Sequence, residues 1–191
     1  MEFLQSVPLA AMAAVITATV LRGIEIRRRT GDRPLAFLDA KGLQRIAGLS
    51  FAASTAALIA ASVIAARGGA SDWTLPAAIS ALVGAAVVIV AQVQMGRAWR
   101  IGVRGGDAPL FVSHGLFRFS RNPIFVGMMA VGLAAAMASG LLWAWAALAV
   151  FVISCAVQVR IEEVHLEASF GQSYVDFRTT VPRWLGWQRA A

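Results

Sequence analysis

Leu75-Pro76-Ala77-Ala78-Ile79-Ser80-Ala81-Leu82-Val83-Gly84-Ala85-Ala86-Val87-Val88-Ile89-Val90-Ala91-Gln92-Val93-Gln94-Met95 is an apolar run without a charged side chain. At about 1.5 Å per residue, a helix of this length crosses the roughly 30 Å hydrocarbon core of a bilayer. Four further apolar runs are read as spans, at about 7–21, 46–66, 124–138 and 141–159, the one at 124–138 being short. Composition agrees, because 59% of residues are hydrophobic, 14% are charged and the mean hydropathy is +0.70, well to the lipid side of soluble domains. Lipid offers the backbone no hydrogen-bond partner, and the chain lacks the alternating segments of a barrel. The expected fold is therefore an all-α integral membrane protein, with five transmembrane helices and a C-terminal cytoplasmic amphipathic segment.

Ser139-Gly140 leaves almost no loop between the fourth and fifth runs, which makes them antiparallel neighbours. Ala130, Ala134 and Ala138, with Gly127, form a small-residue stripe of the kind that lets membrane helices approach closely. No repeat and no Pro- or Ser-rich linker divides the chain, so one structural domain is expected in two portions. Residues 1–95 hold three spans and a basic loop, and residues 96–191 hold a further loop, the helical hairpin and the tail. Gly31-Asp32-Arg33-Pro34 signals a turn. The first run follows Glu2 rather than a basic leader, and Arg22 to Arg29 come after it, so it is expected to stay attached as a helix.

Loop charges orient the bundle. Seven Lys or Arg lie in 22–45, five in 96–122 and four from Arg160 onward, leaving Arg67 alone on the other side. The positive-inside rule places those three segments in the cytoplasm and the N-terminus outside. Trp73, Trp143 and Trp145 then fall at the outer boundary, with Trp99, Trp184 and Trp187 near the inner one. The net charge of +7 is spread over membrane-proximal segments, which suits anionic lipid headgroups and not nucleic acid. The lone Cys155 lies within the fifth run, which excludes a disulfide, and no Cys or His spacing forms a metal site.

Two charged clusters bracket the hairpin, Arg121-Asn122-Pro123 at its start and Arg160-Ile161-Glu162-Glu163 at its end. Pro123 suits the first helical turn and Asn122 can cap it, leaving a weakly positive pole of N–H groups for a carboxylate or other anion. The plain alternative is that Arg118 and Arg121 snorkel to headgroups. Arg160, Glu163 and Glu167 share a helical face, with Glu162 turned roughly 100° from Glu163. Adjacent carboxylates near a bilayer need compensation. One can pair with Arg160 or Arg121, and the other can meet a cationic group such as an ammonium, unless the whole cluster is an ordinary salt-bridged helix end. Further on, Gly171 reads as a helix stop, and Phe170, Tyr174 and Phe177 line one face of a segment that forms an interfacial foot or a lid.

Gly115-Leu116-Phe117, then Arg121-Asn122-Pro123-Ile124-Phe125, then Arg160, Glu162-Glu163, Leu166, Phe170-Gly171, Tyr174 and Val181-Pro182-Arg183 together resemble the isoprenylcysteine carboxyl methyltransferase family. Related membrane phospholipid methyltransferases share much of the pattern. The resemblance covers about the last 95 residues. It implies S-adenosylmethionine bound at the cytoplasmic face, and carries cofactor contact onto Leu110, Phe111, Val112, Phe117, Asn122, Pro123, Ile124 and Phe125. It carries a cofactor-binding glutamate onto Glu162, with Glu163 as the alternative, and Arg121 and Arg160 are the candidate catalytic cations. Asn122 stands where the isoprenylcysteine enzymes usually have histidine, and cannot act as a base at neutral pH. Asparagine looks like the form common among bacterial relatives, so the membrane implied is that of a bacterial or archaeal cell. Phe117 and Phe125 stand where tyrosines are frequent, leaving stacking or apolar packing.

The acceptor implied is a lipophilic small molecule entering from the lipid. Two other classes compete with this reading. An NADPH-dependent reductase resembling the sterol reductases would need a pocket for the 2′-phosphate, and a transporter or scaffold would be expected to show mid-membrane charge and two-fold repeats.

Overall fold

The computed structural model describes residues 2–30, 41–68, 71–96, 99 and 112–187. They form six α-helices: α1 (Glu2–Thr30), α2 (Gly42–Arg67), α3 (Thr74–Met95), α4 (Pro123–Ser139), α5 (Leu142–Phe170) and α6 (Gln172–Thr180), with a 3-10 turn at Gly115–Arg118 ahead of α4. No strand occurs among the described residues. Helices α1, α2, α3 and α5 are each long and apolar enough to cross a membrane, whereas α4 is apolar but only 17 residues long. The turn expected at Gly31 to Pro34 lies outside the described residues.

Two helices run further than hydropathy alone suggests. Helix α1 continues through its arginines because Glu25 pairs with Arg22 at 2.5 Å and with Arg29 at 2.9 Å, one turn away on either side. Helix α5 does not stop where its charges begin. It carries Arg160, Glu162 and Glu163 inside a continuous helix, and ends only at Gly171, whose φ of +55° is readily reached without a Cβ.

Helix α4 is the centre of the bundle, touching α1, α2, α3 and α5, with its most extensive packing on α3 rather than on its hairpin neighbour α5. Lipid tails are as apolar as leucine, so helix association depends on close packing and interhelical hydrogen bonds. Gly84 on α3 and Gly127 on α4 supply the first: a Cβ on either would lie 2.6 Å from the other's carbonyl oxygen. Ser80 Oγ supplies the second, donating to the Ala130 carbonyl at 2.9 Å. Helix α1 is tied to α3 by Gln92 Nε2 donating to Thr19 Oγ1 at 2.8 Å and by Arg22 Nη2 donating at 2.5 Å to the carbonyl of Gly96, the residue that follows α3. Helix α5 packs mainly on α2, where the Phe51 and Phe151 rings meet tilted by 33° with centroids 4.9 Å apart. Trp99, one of the rings expected near the inner boundary, is buried against the protein. This arrangement sets the charged start of α4 against the part of α5 that carries the carboxylates.

Candidate functional site

Pro123 occupies the first turn of α4, where its missing N–H removes nothing from the helix. Asn122 precedes it but does not cap it with its side chain, contrary to expectation. Its Nδ2 donates to the Arg183 carbonyl at 3.0 Å, and its backbone N–H donates to Ser120 Oγ at 3.0 Å. A local capping preference has lost to a tertiary acceptor. The first intrahelical bond, Val126 N to the Asn122 carbonyl at 3.1 Å, comes after the N–H groups of Ile124 and Phe125. The positive end of α4 is thus left without a side-chain cap.

The competitor is the segment 181–187. Arg121 N donates to the Pro182 carbonyl at 3.0 Å, Gly186 N donates to the Phe119 carbonyl at 3.1 Å, and Trp187 meets Phe119 edge-on at 5.7 Å. The tail therefore lies along 119–122 as a strap. On the other flank, Gly115 has φ +61°, and a Cβ there would collide with the side-chain amide of Gln94, whose Oε1 accepts from Leu116 N at 2.8 Å. The positive φ is what calls for glycine here, and a Cβ would in addition displace the Gln94 amide from Leu116 N.

Beneath the strap lies a buried ion cluster. Glu163 is 7% exposed, and Arg183 grips it as a fork: Nε donates to Oε1 at 3.0 Å and Oε2 at 3.1 Å, and Nη2 donates to Oε2 at 2.7 Å. Arg121, its side chain also 7% exposed, adds one contact from Nη2 to Oε1 at 3.2 Å. Its Nε and Nη1 are buried with no hydrogen-bond partner. Two guanidinium groups against one carboxylate leave one positive charge, and donors this deeply buried are rarely left unused without a reason.

Tyr174, 1% exposed, completes the cluster with its hydroxyl hydrogen-bonded to Arg121. Burial, and then the negative charge of Glu163, pushes the phenol up to about 12, with Arg121 opposing them. An acid whose folded pKa lies above its unfolded value of about 10 favours the fold fully below pH 10, and loses that contribution as pH rises towards 12. Thermal unfolding in detergent should therefore show a fall in stability between pH 10 and 12. That fall should be smaller in Tyr174→Phe, and an identical fall in both proteins would dismiss the phenol as its source.

The structure brings Arg121, Asn122, Pro123 and Glu163 together and leaves other candidates around them. Glu162 is partly exposed, and its charge is felt at Tyr174. Arg160 is exposed and takes no part in the pairing of Glu163, although it lies three residues away on the same helix. Glu167 pairs instead with Arg178 of α6 at 2.6 Å. Phe117 and Pro123 are buried, Ile124 and Phe125 pack half-buried on the core, and Val112 is partly exposed. Leu110 and Phe111 lie outside the described residues. Sequence reasoning gave no role to Arg183, Ser120 or Gln94. The available signal for Arg183 was its place in the Val181-Pro182-Arg183 motif, which the sequence left without a role.

Fold and site together define a helical membrane protein whose central helix begins at a buried guanidinium–carboxylate centre. The family model described as phospholipid methyltransferase matches residues 74–173, more than half of the 191-residue chain. The chain belongs to that family, in the same membrane methyltransferase group as the isoprenylcysteine carboxyl methyltransferases. The match takes in all of α3, a helix earlier than the motifs read above, and stops short of Tyr174 and the strap. No curated protein and no solved structure matches the chain.

Proposed function

We propose that this chain moves a methyl group from S-adenosylmethionine to a lipophilic acceptor that reaches the site from the lipid. In this reading α4 is a fifth span, the N-terminus is outside, and the start of α4, the end of α5 and the strap face the cytoplasm. The observation that carries the proposal is the pair of unpartnered donors on buried Arg121, beside an uncapped helix start, in a chain of this family. Such donors fit the carboxylate of an amino-acid-bearing cofactor.

When bound, the cofactor supplies an already activated methyl group, so the protein's task is alignment and exclusion of water, an effect worth about 7 to 11 kcal/mol. Arg121, through Nε or Nη1, with the N–H groups opening α4, would hold the carboxylate. Glu162 holds the ammonium, because the oxygens of Glu163 already receive four contacts from two guanidinium groups. Phe117, Ile124, Phe125 and residues 110–112 give apolar contact, and Asn122 fixes the strap instead of moving a proton. Arg160, exposed one turn before the carboxylates, orients an anionic group of the acceptor.

Titration calorimetry on the detergent-purified protein tests this reading. S-adenosylhomocysteine should bind and NADPH should not, and Glu162→Gln should weaken binding about 10-fold with helicity unchanged. A folded sample that binds NADPH, or neither compound, overturns the reading. Incubating lipid extracts with radiolabelled methyl donor then identifies the acceptor by its labelled product.

A further inference from the structure

We propose that Arg183 is a positioning residue that leaves two donors of Arg121 unpaired for the ligand by limiting Glu163 to a single contact with it. This rests on the proposed function. Glu163 and Arg121 are natural partners for a two-bond fork, since a guanidinium edge matches both carboxylate oxygens. That fork is not what the structure shows. Arg121 reaches Glu163 through Nη2 alone, at 3.2 Å, while Arg183 takes both oxygens through Nε and Nη2 at 2.7 to 3.1 Å. The consequence appears on Arg121, whose Nε and Nη1 stay buried and unpartnered.

Arg183 is itself held in place. Its carbonyl accepts from Asn122 Nδ2 at 3.0 Å, and the neighbouring Pro182 carbonyl accepts from Arg121 N at 3.0 Å. The strap thereby fixes the backbone of Arg183 to the same turn that carries Arg121. Without the Arg183 guanidinium, Glu163 is free to turn on its side chain and close on the remaining donors of Arg121. The same donors are those that the ligand carboxylate needs. Arg183 thus acts on binding through Glu163 without touching the ligand, and it lies beyond the residues that the family model matches.

Calorimetric titration with S-adenosylhomocysteine separates this role from simple anchoring of the strap. Arg183→Gln should bind about 10-fold more weakly than the unchanged protein, and Arg183→Lys, which keeps the charge and loses the fork, about 3-fold more weakly. The deciding variant is Arg183→Gln combined with Glu163→Gln. With no carboxylate left to close on Arg121, its affinity should return to within about 3-fold of the unchanged protein. Anchoring alone gives the opposite result, a double variant no tighter than Arg183→Gln, and that outcome in a folded sample overturns the proposal. If the glutamine variants do not fold, Arg183→Lys decides, and undiminished affinity there counts against it. Failure of the unchanged protein to bind sinks the proposed function and this inference with it, whereas binding that is insensitive to Arg183 sinks only the inference.

Discussion

Glu163→Ala is expected to lose about 3 to 5 kcal/mol of stability, the usual cost of stranding a buried charge by removing its partner. The alanine leaves Arg121 and Arg183 facing one another with no anion between them. Arg183, 37% exposed, can turn toward water. Arg121, at 7%, cannot, and Tyr174 offers it only a neutral oxygen. Glu163→Gln should be milder, since its amide oxygen still accepts one hydrogen bond. The combination of Glu163→Leu with Arg121→Met removes the stranded cation and should regain much of the loss, because apolar replacements of a buried ion pair are often close to neutral. It should nevertheless fail to bind S-adenosylhomocysteine. Denaturation in detergent, read by helicity, measures all three, and a Glu163→Ala protein within about 1 kcal/mol of the unchanged one would show that the carboxylate is not what compensates Arg121.

The second large effect is steric. A Cβ at Gly84 falls 2.6 Å from the Gly127 carbonyl and 3.0 Å from both Ala130 Cβ and Val131 Cγ2, while one at Gly127 falls 2.6 Å from the Gly84 carbonyl and 2.8 Å from Val88 Cγ2. Backbone oxygen cannot swing aside like a side-chain tip, so the two helices must separate. Gly84→Ala and Gly127→Ala should each cost about 1 to 3 kcal/mol through overpacking. Gly127 lies one turn past Pro123, so the separation also loosens the turn holding Arg121. Gly132→Ala is the control, because its Cβ comes nearest to the movable tips of Leu148 and Leu58 at 3.2 Å, with Phe151 Cδ1 at an ordinary 3.9 Å. Gly48→Ala, with nothing within 4 Å, should be neutral or gain up to about 1 kcal/mol in helix propensity. Equal melting of all four variants would refute the glycine contact as the source of α3–α4 cohesion.

The long apolar helices were legible because lipid makes hydropathy and length sufficient criteria, and Pro123 and Gly171 marked real helix ends through backbone constraints that act locally. The stripe running from Gly127 was legible too. Its partner was not, since Gly84 reads as one more small residue among alanines until α3 and α4 are placed side by side. Asn122 shows where local rules give way: its type and position say cap, but a tail carbonyl more than sixty residues away takes the amide. Arg160 shows the same from the other side. Its spacing puts it near Glu163, yet the buried face of that carboxylate is already filled by Arg121 and Arg183. Arg183, 20 residues beyond Glu163, follows no periodic pattern that could have joined the two.

The strap also makes the site separable from the helices that carry it. Residues 181–187 follow every apolar helix along the chain, so a protein cut between α6 and Arg183 keeps α1 to α5 and loses the forked partner of Glu163. Such a protein should be inserted and helical yet lack a working site. Insertion and completion of the site are thus properties of different stretches of one chain.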